Sequence, residues 1–211
     1  MLHKNPEIIT AKTFKLIQQL QALPELEGFH LVGGTALALQ MGHRSSVDID
    51  LFSQKDFDEN FLMNFINKKY LFEKKFSRKN TIIGFHAYDY IKPAVTEEGI
   101  TYLSKEDIAA MKLNAISNSG QRLKDFIDVY YLLQYFSIND MLGFFEIKYP
   151  NVNPLIPLKA INYFDDIDEN IDPPKLLNPV SLKQIKQRIN DAVLHSGKVF
   201  KDWVPCEIAT K

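Results

Sequence analysis

Two aspartates separated by one residue, Asp48 and Asp50, interrupt the strand-like run Val47 to Phe52 in "VGGTALALQMGHRSSVDIDLF". On a strand, residues i and i+2 face the same way, with about 6.5 to 7 Å of backbone rise between them. Two carboxylates placed side by side on a buried strand repel each other, and their burial is costly unless cations offset it. Mg²⁺ meets that need, because it takes oxygen ligands, keeps several waters and shares its shell with substrate phosphates. Upstream, Gly33 and Gly34 separate a short apolar strand from a helix whose exposed N-terminal N–H groups favour a phosphate, and Thr35 adds a hydroxyl. Each feature alone also has a plainer explanation, since glycine pairs end many strands and Asp-x-Asp often marks a turn or a solvated edge. Their order in one short stretch strengthens both.

The elements needed to hold these residues can be read from periodicity. "NPEIITAKTFKLIQQLQAL" predicts a helix with Asn5 as N-cap and Pro6 at the first helical position, ending before Pro24. "FHLVGG" predicts a buried strand, "TALALQMG" a helix stopped by Gly42, "VDIDLF" a second strand and "FDENFLMNFINKKY" the next helix. "LFEKKFSR" and "NTIIGFHAYDYI" predict paired strands, and "GITYL" a further short one. From Ser104, whose hydroxyl and Asp107 form a capping pattern, the chain turns helical: "IAAMKLNAISN", "RLKDFIDVYYLLQYF" and "INDMLGFFEIKY". A proline-rich stretch from Pro150 to Pro179 predicts loops around one short helix near Lys159 to Phe164, and "SLKQIKQRINDAVLHSGKVFKDW" predicts the last long helix.

Composition bounds the partners. Lys plus Arg total 25 against 26 Asp plus Glu in 211 residues, so no overall field recruits nucleic acid or membrane. The single cysteine, Cys206, excludes an internal disulfide framework and fits a reducing compartment, and five scattered histidines build no zinc site. No run of about 18 apolar residues occurs, and the N-terminus has no secretory pattern, so the expectation is a cytoplasmic, soluble protein with no membrane association.

The strand, glycine turn, helix and D-x-D strand resemble the polymerase-β-like nucleotidyltransferases. More closely, "GGTALALQMGHRSSVDIDLF", "SKEDIAAMKLNAI", "LKDFIDVYYLL" and "AINYFDDID" resemble the AbiEii/AbiGii family of nucleotidyltransferase toxins over roughly Gly28 to Trp203. The resemblance implies an α+β fold: a nucleotidyltransferase core with a mixed sheet over residues 1–103, then a helical C-terminal region over 104–211 that completes the cleft. It implies an enzyme that moves a nucleotidyl group from a nucleoside triphosphate to an acceptor hydroxyl, in some relatives the 3′ end of tRNA. It also implies two Mg²⁺ ions and a cognate antitoxin, as in type IV toxin–antitoxin pairs. A γ-phosphate-transferring enzyme, or a relative without turnover that docks to a protein, would use the same groups.

Carried over residue by residue, Asp48 and Asp50 match the metal carboxylates and Ser46 a hydroxyl position of the family motif. Lys112 matches the family lysine, and Asp125 and Asp128 the carboxylates of its K-D-F-I-D-x-Y motif. The residues themselves agree for Lys112, whose helix neighbours Ile108, Met111 and Ile116 give it a core-facing side where an ammonium wants an anion; a surface lysine with a packed stem is the alternative. Asp125 and Asp128 share a helix face, and Asp128 could pair with Lys112 or Arg122, catalytically or as a structural ion pair. Where the family commonly carries an arginine and glycine before this motif, "NSGQRLKDF" supplies Arg122 alone. The superfamily's usual third metal carboxylate would fall to Asp89, which otherwise is an edge residue facing water. His43 and Arg44 could contact the nucleotide or decorate a loop. Lys183, Lys186, Arg188, Lys198 and Lys201 make the last helix basic, which suits an RNA face but more commonly means a solvated one, and Trp203 reads as a packing anchor.

Overall fold

The fold was taken from a computed structural model, which describes residues 1–55, 57–69, 89–170 and 173–201. Within these, helix α1 (Ala11–Gln21) and a 3-10 turn (Pro24–Leu26) lead into strand β1 (Phe29–Val32), which passes directly into helix α2 (Gly33–Met41). Strand β2 (Asp50–Ser53) and helix α3 (Glu59–Lys69) follow, then the hairpin β3 (Val95–Glu97) and β4 (Ile100–Tyr102). The rest is helical: α4 (Lys105–Ser119), α5 (Leu123–Leu132), α6 (Ile138–Lys148), α7 (Leu155–Ile161) and α8 (Leu182–Leu194). The described strands form one mixed sheet in the order β2-β1-β4-β3, with β1 antiparallel to β2 and parallel to β4. This is the α+β arrangement that the sequence predicts.

The central pair is set by burial. Phe29, Leu31 and Val32 of β1 are buried, and Leu51 of β2 lies opposite Leu31 in the register. The register ends at Val32 opposite Asp50, because β1 gives way to α2 at Gly33. That is why β2 begins at Asp50 rather than at Val47: Asp48 precedes the strand and has no strand partner among the described residues. The Thr35 hydroxyl instead donates to the Asp48 carbonyl and lies 2.8 Å from the Ser46 hydroxyl, tying the incoming segment to the first turn of α2.

Helix α4 is the axis of the helical half. Ser104 caps it as the sequence predicts, accepting from the Asp107 N–H at 3.1 Å, and Gly120 closes it in the left-handed region. It packs against α2, α5, α6 and α7, and its buried residues Ile108, Ala109, Ala110, Leu113 and Ile116 join the sheet residues in a single apolar core.

Several boundaries differ from the sequence reading. Helix α1 starts after Thr10, whose hydroxyl accepts from Thr13 N–H, while Asn5 and Pro6 belong to a separate turn. That turn buries Ile8 and Ile9 and leaves the Ile8 carbonyl to accept from Ser46 N–H at 2.9 Å, a tie that a continuous helix would remove. Strand β3 escapes the sequence reading because its two-residue connection has Glu98 as well as Gly99 at positive φ, an unusual place for glutamate. Helix α7 begins four residues earlier than expected and α8 ends at Leu194. The predicted strands over 71–88, apart from their last residues, and Asp202, Trp203 and Cys206 lie outside the described residues. Among the described residues no helix is long and apolar enough to cross a membrane.

Candidate active site

The start of α2, the segment entering β2, one face of α4 and the start of α5 enclose a cleft of about 450 Å³. Gly33, Gly34, Arg44, Ser46, Asp48, Asp50, Lys112 and Asp125 all line it, although they come from distant parts of the chain. The two glycines are required for different reasons. Gly33 has φ +69°, and a Cβ there would lie 2.6 Å from Asp50 Oδ2. Gly34 has ordinary helical geometry, but its Cβ would lie 2.2 Å from Arg44 Nη2. One glycine thus makes room for a carboxylate and the other for a guanidinium.

Behind the cleft lies a charged cluster built on Asp128, which is fully buried on α5. Arg44 donates to both of its oxygens, Nε to Oδ1 at 2.7 Å and Nη2 to Oδ2 at 2.9 Å. His43 Nε2 donates to Oδ1 at 2.8 Å, and Lys112 Nζ lies 2.7 Å from Oδ2. Lys112 also donates to Asp125 Oδ1 at 2.8 Å, and Arg122 holds the other Asp125 oxygen through Nε and Nη2 at 2.9 and 2.7 Å. The expected Asp128–Lys112 pair is therefore present. Arg122 pairs with Asp125 instead of Asp128, because it stands at the N-cap of α5, three residues before Asp125.

These contacts explain the direction of each titration. Burial by itself would push the Asp128 carboxyl up, but Arg44, Lys112 and the hydrogen bonds from Arg44 and His43 hold it well below the usual carboxylate range. Burial would lower Lys112, and the charges of Asp128 and Asp125 outweigh it and raise the ammonium's pKa. For His43 burial wins: its pKa falls despite Asp128, with Arg44 and Lys112 adding to the fall, so the imidazole is neutral and donates from Nε2.

Asp48 and Asp50 differ from this cluster. Both open to the cleft, and neither carboxylate accepts a protein hydrogen bond among the described residues. Asp50 is walled by protein on its inner side; that burial raises its pKa first and the Asp48 charge second, with Lys112 and Arg122 opposing. Two neighbouring carboxylates in reach of solvent, one of them held up by burial and by the charge of the other, suit a divalent cation completed by water or phosphate oxygens. Among the described residues no group of three His, Cys, Asp or Glu side chains could hold a metal, so the pair stands alone. Asp89 is exposed and is not among the cleft residues; its carbonyl accepts from Lys148 Nζ at 3.3 Å. Thr35 is buried beneath the turn, fixing Ser46 and Asp48 rather than facing the cleft. His43 is buried behind Asp128 instead of decorating a loop.

Sequence reasoning missed part of the lining: Phe52, Met111, Asn114, Ala115, Lys124 and Tyr149 also face the cleft. Met111, Lys112 and Ala115 follow helical spacing and could have been found, whereas Tyr149 arrives from the end of α6 and gives no local signal. The basic residues of the C-terminal helix are largely engaged in packing. The Arg188 guanidinium lies 3.8 Å over Tyr130, Lys186 lies over Phe164, and Lys198 pairs with Asp191.

The chain is 29% identical over 171 residues to an uncharacterized protein of Aquifex aeolicus (strain VF5), a match spanning 74% of this chain and 82% of that one. No solved structure matches it. The sequence profile of the nucleotidyl transferase AbiEii toxin family, type IV toxin–antitoxin systems, matches residues 15–85 and 88–202, which include every cleft residue named above. The chain belongs to the AbiEii family of nucleotidyl transferase toxins.

Proposed function

We propose that this protein transfers a nucleoside monophosphate from a nucleoside triphosphate to an acceptor hydroxyl, on a tRNA 3′ end or on a protein, with Mg²⁺ bound by Asp48 and Asp50. The observation that carries the reading is that these two carboxylates accept no hydrogen bond among the described residues and face a cleft whose cations are already oriented. Bound Mg²⁺ would supply Lewis-acid activation of the attacking and leaving oxygens.

The chain's own groups then do the positioning. The first-turn N–H groups of α2, which have no partner within the helix, donate to phosphate oxygens. Lys112 uses two of its three N–H bonds on Asp125 and Asp128, and the third offsets charge that builds on the phosphates during transfer. Arg122, half-exposed and held by Asp125, adds a second cation at the cleft rim. The acceptor oxygen attacks the α-phosphorus, the bond to the β-phosphate bridging oxygen breaks, and pyrophosphate leaves in line. In a type IV pair such an activity would be the toxin's, and an antitoxin would counter it.

The test is incubation with total tRNA, Mg²⁺ and each of the four α-³²P-labelled nucleoside triphosphates, with Asp48→Ala alongside. Wild-type label in RNA or protein, falling at least about 10³-fold in the variant with its melting temperature kept, is the expected result. An active Asp48→Ala protein, or label transferred only from γ-³²P nucleotide, would overturn the assignment.

A further inference from the structure

Among the described residues, the side-chain amide of Asn114 is left over in the cleft once the charges are assigned. Arg44, Lys112, Arg122 and Asp125 are bound to one another or to Asp128, and the Ser46 hydroxyl is bound to Thr35. Asp48 and Asp50 are open to a cation. Asn114 is half-buried and lines the same cleft, yet its side-chain amide makes no hydrogen bond among the described residues. Beyond the bonds of the helix itself, its backbone carbonyl accepts from Asn118 Nδ2 at 2.9 Å.

Its position on α4 gives that amide a direction. Successive helical residues are about 100° apart, so Lys112 and Asn114 stand on nearly opposite flanks of the stripe whose middle is Met111 and Ala115. The Lys112 flank meets the charged cluster. Met111 and Ala115 make the strip between the two flanks apolar, and Phe52 from β2 and the buried Tyr149, packed on Phe145 at 4.9 Å between ring centroids, add aromatic surface to the same cleft. A charged end, an apolar middle and a neutral amide carrying both a donor and an acceptor match the parts of a nucleotide in order: phosphates, flat base faces, and a base edge that presents a donor beside an acceptor.

We propose that Asn114 is a specificity-determining residue that hydrogen-bonds the base edge of the nucleotide, with Met111, Ala115 and Tyr149 lying against the base. This rests on the nucleotide reading of the cleft and adds the site that distinguishes a nucleotide from its phosphates. Because no hydrogen bond among the described residues holds the amide one way round, it can turn to present either edge, and the wild type should accept more than one base.

The test is calorimetric binding, in Mg²⁺, of the four ribonucleoside triphosphates and of inorganic tripolyphosphate to the wild type, Asn114→Leu and Asn114→Asp. Asn114→Leu should bind the preferred nucleotide about tenfold more weakly while holding tripolyphosphate as the wild type does. Asn114→Asp, which accepts but cannot donate, should change the ranking of the four nucleotides with tripolyphosphate again unaffected. Nucleotide affinities within twofold of wild type in both variants would overturn the inference, as would an equal loss of nucleotide and tripolyphosphate. A wild type that binds neither probe would overturn the nucleotide reading itself, an outcome distinct from the other two.

Discussion

Two carboxylates, Asp107 and Asp128, are both completely buried, and both touch a lysine ammonium at 2.7 Å. Their other partners differ. Asp107 accepts from the backbone N–H groups of Ile91 and Lys92 at 3.0 and 3.2 Å and from the Ser104 hydroxyl at 2.8 Å, besides Lys148. It ties the segment before β3 to the start of α4, and neither it nor Lys148 lines the cleft. Asp128 takes all its partners from side chains, and two of them, Arg44 and Lys112, form the cleft wall. Burial of a charge therefore does not mark a functional site in this molecule. A buried carboxylate that fixes backbone builds the fold, whereas one that holds cationic side chains at the wall of a cavity shapes the candidate site.

The sharpest way to break this comparison is to remove each carboxylate's role in turn. Asp128→Ala leaves Arg44 and Lys112 buried without their shared anion. The expected cost is about 3–5 kcal/mol in urea unfolding, together with loss of transfer by the molecules that remain folded. Lys148→Met breaks the other pair, but three donors still satisfy Asp107, so about 3 kcal/mol is expected, the low end of the same range. Activity per folded molecule should then match the wild type. Transfer lost in Lys148→Met, or retained in Asp128→Ala, would remove the distinction between the two regions.

Acid titration sharpens it further, with smaller effects. The Asp128 carboxyl is held well below its ordinary value in the folded chain. Its contribution is therefore complete above about pH 4 and lost as pH falls through the folded value, because there the unfolded state binds the extra proton. His43 acts in the same direction at higher pH: its lowered folded pKa means that only the unfolded chain takes the proton just below about pH 6.5. Unfolding free energy should fall in two steps, each group contributing at most about 1.4 kcal/mol per pH unit. His43→Gln should shallow the first step, with a residual slope from the half-buried His3 and His30, both lowered by burial. Lys148→Met should keep both steps.

Much of the site was legible in local sequence because its residues come in short blocks with strong local rules. The Gly33–Gly34 break between strand and helix, the Asp48/Asp50 pair, the Ser104 cap and the one-face placement of Asp125 and Asp128 follow from spacing alone. Asp89 stayed ambiguous because its strand register could not be known, and the structure leaves it exposed, away from the cleft. Asn114 and Tyr149 were silent, since an amide on a helix and an aromatic near a helix end are ordinary until the opposite wall is known.

By itself the sequence determined most of the described helices and the strands β1, β2 and β4, though not β3 or the turn before α1, that carboxylates and a glycine turn stand close together, and that the charge balance is too even to advertise a partner. Tertiary structure decided who pairs with whom. That Gly34 makes room for Arg44, that Arg44 meets Asp128 from 84 residues away, and that Lys112 of α4 bridges Asp125 and Asp128 of α5 are contacts between separate elements. The physical reason is range: helical and strand periodicity act over a few residues, while the partner of a buried charge is set by how α2, α4 and α5 pack around one cleft.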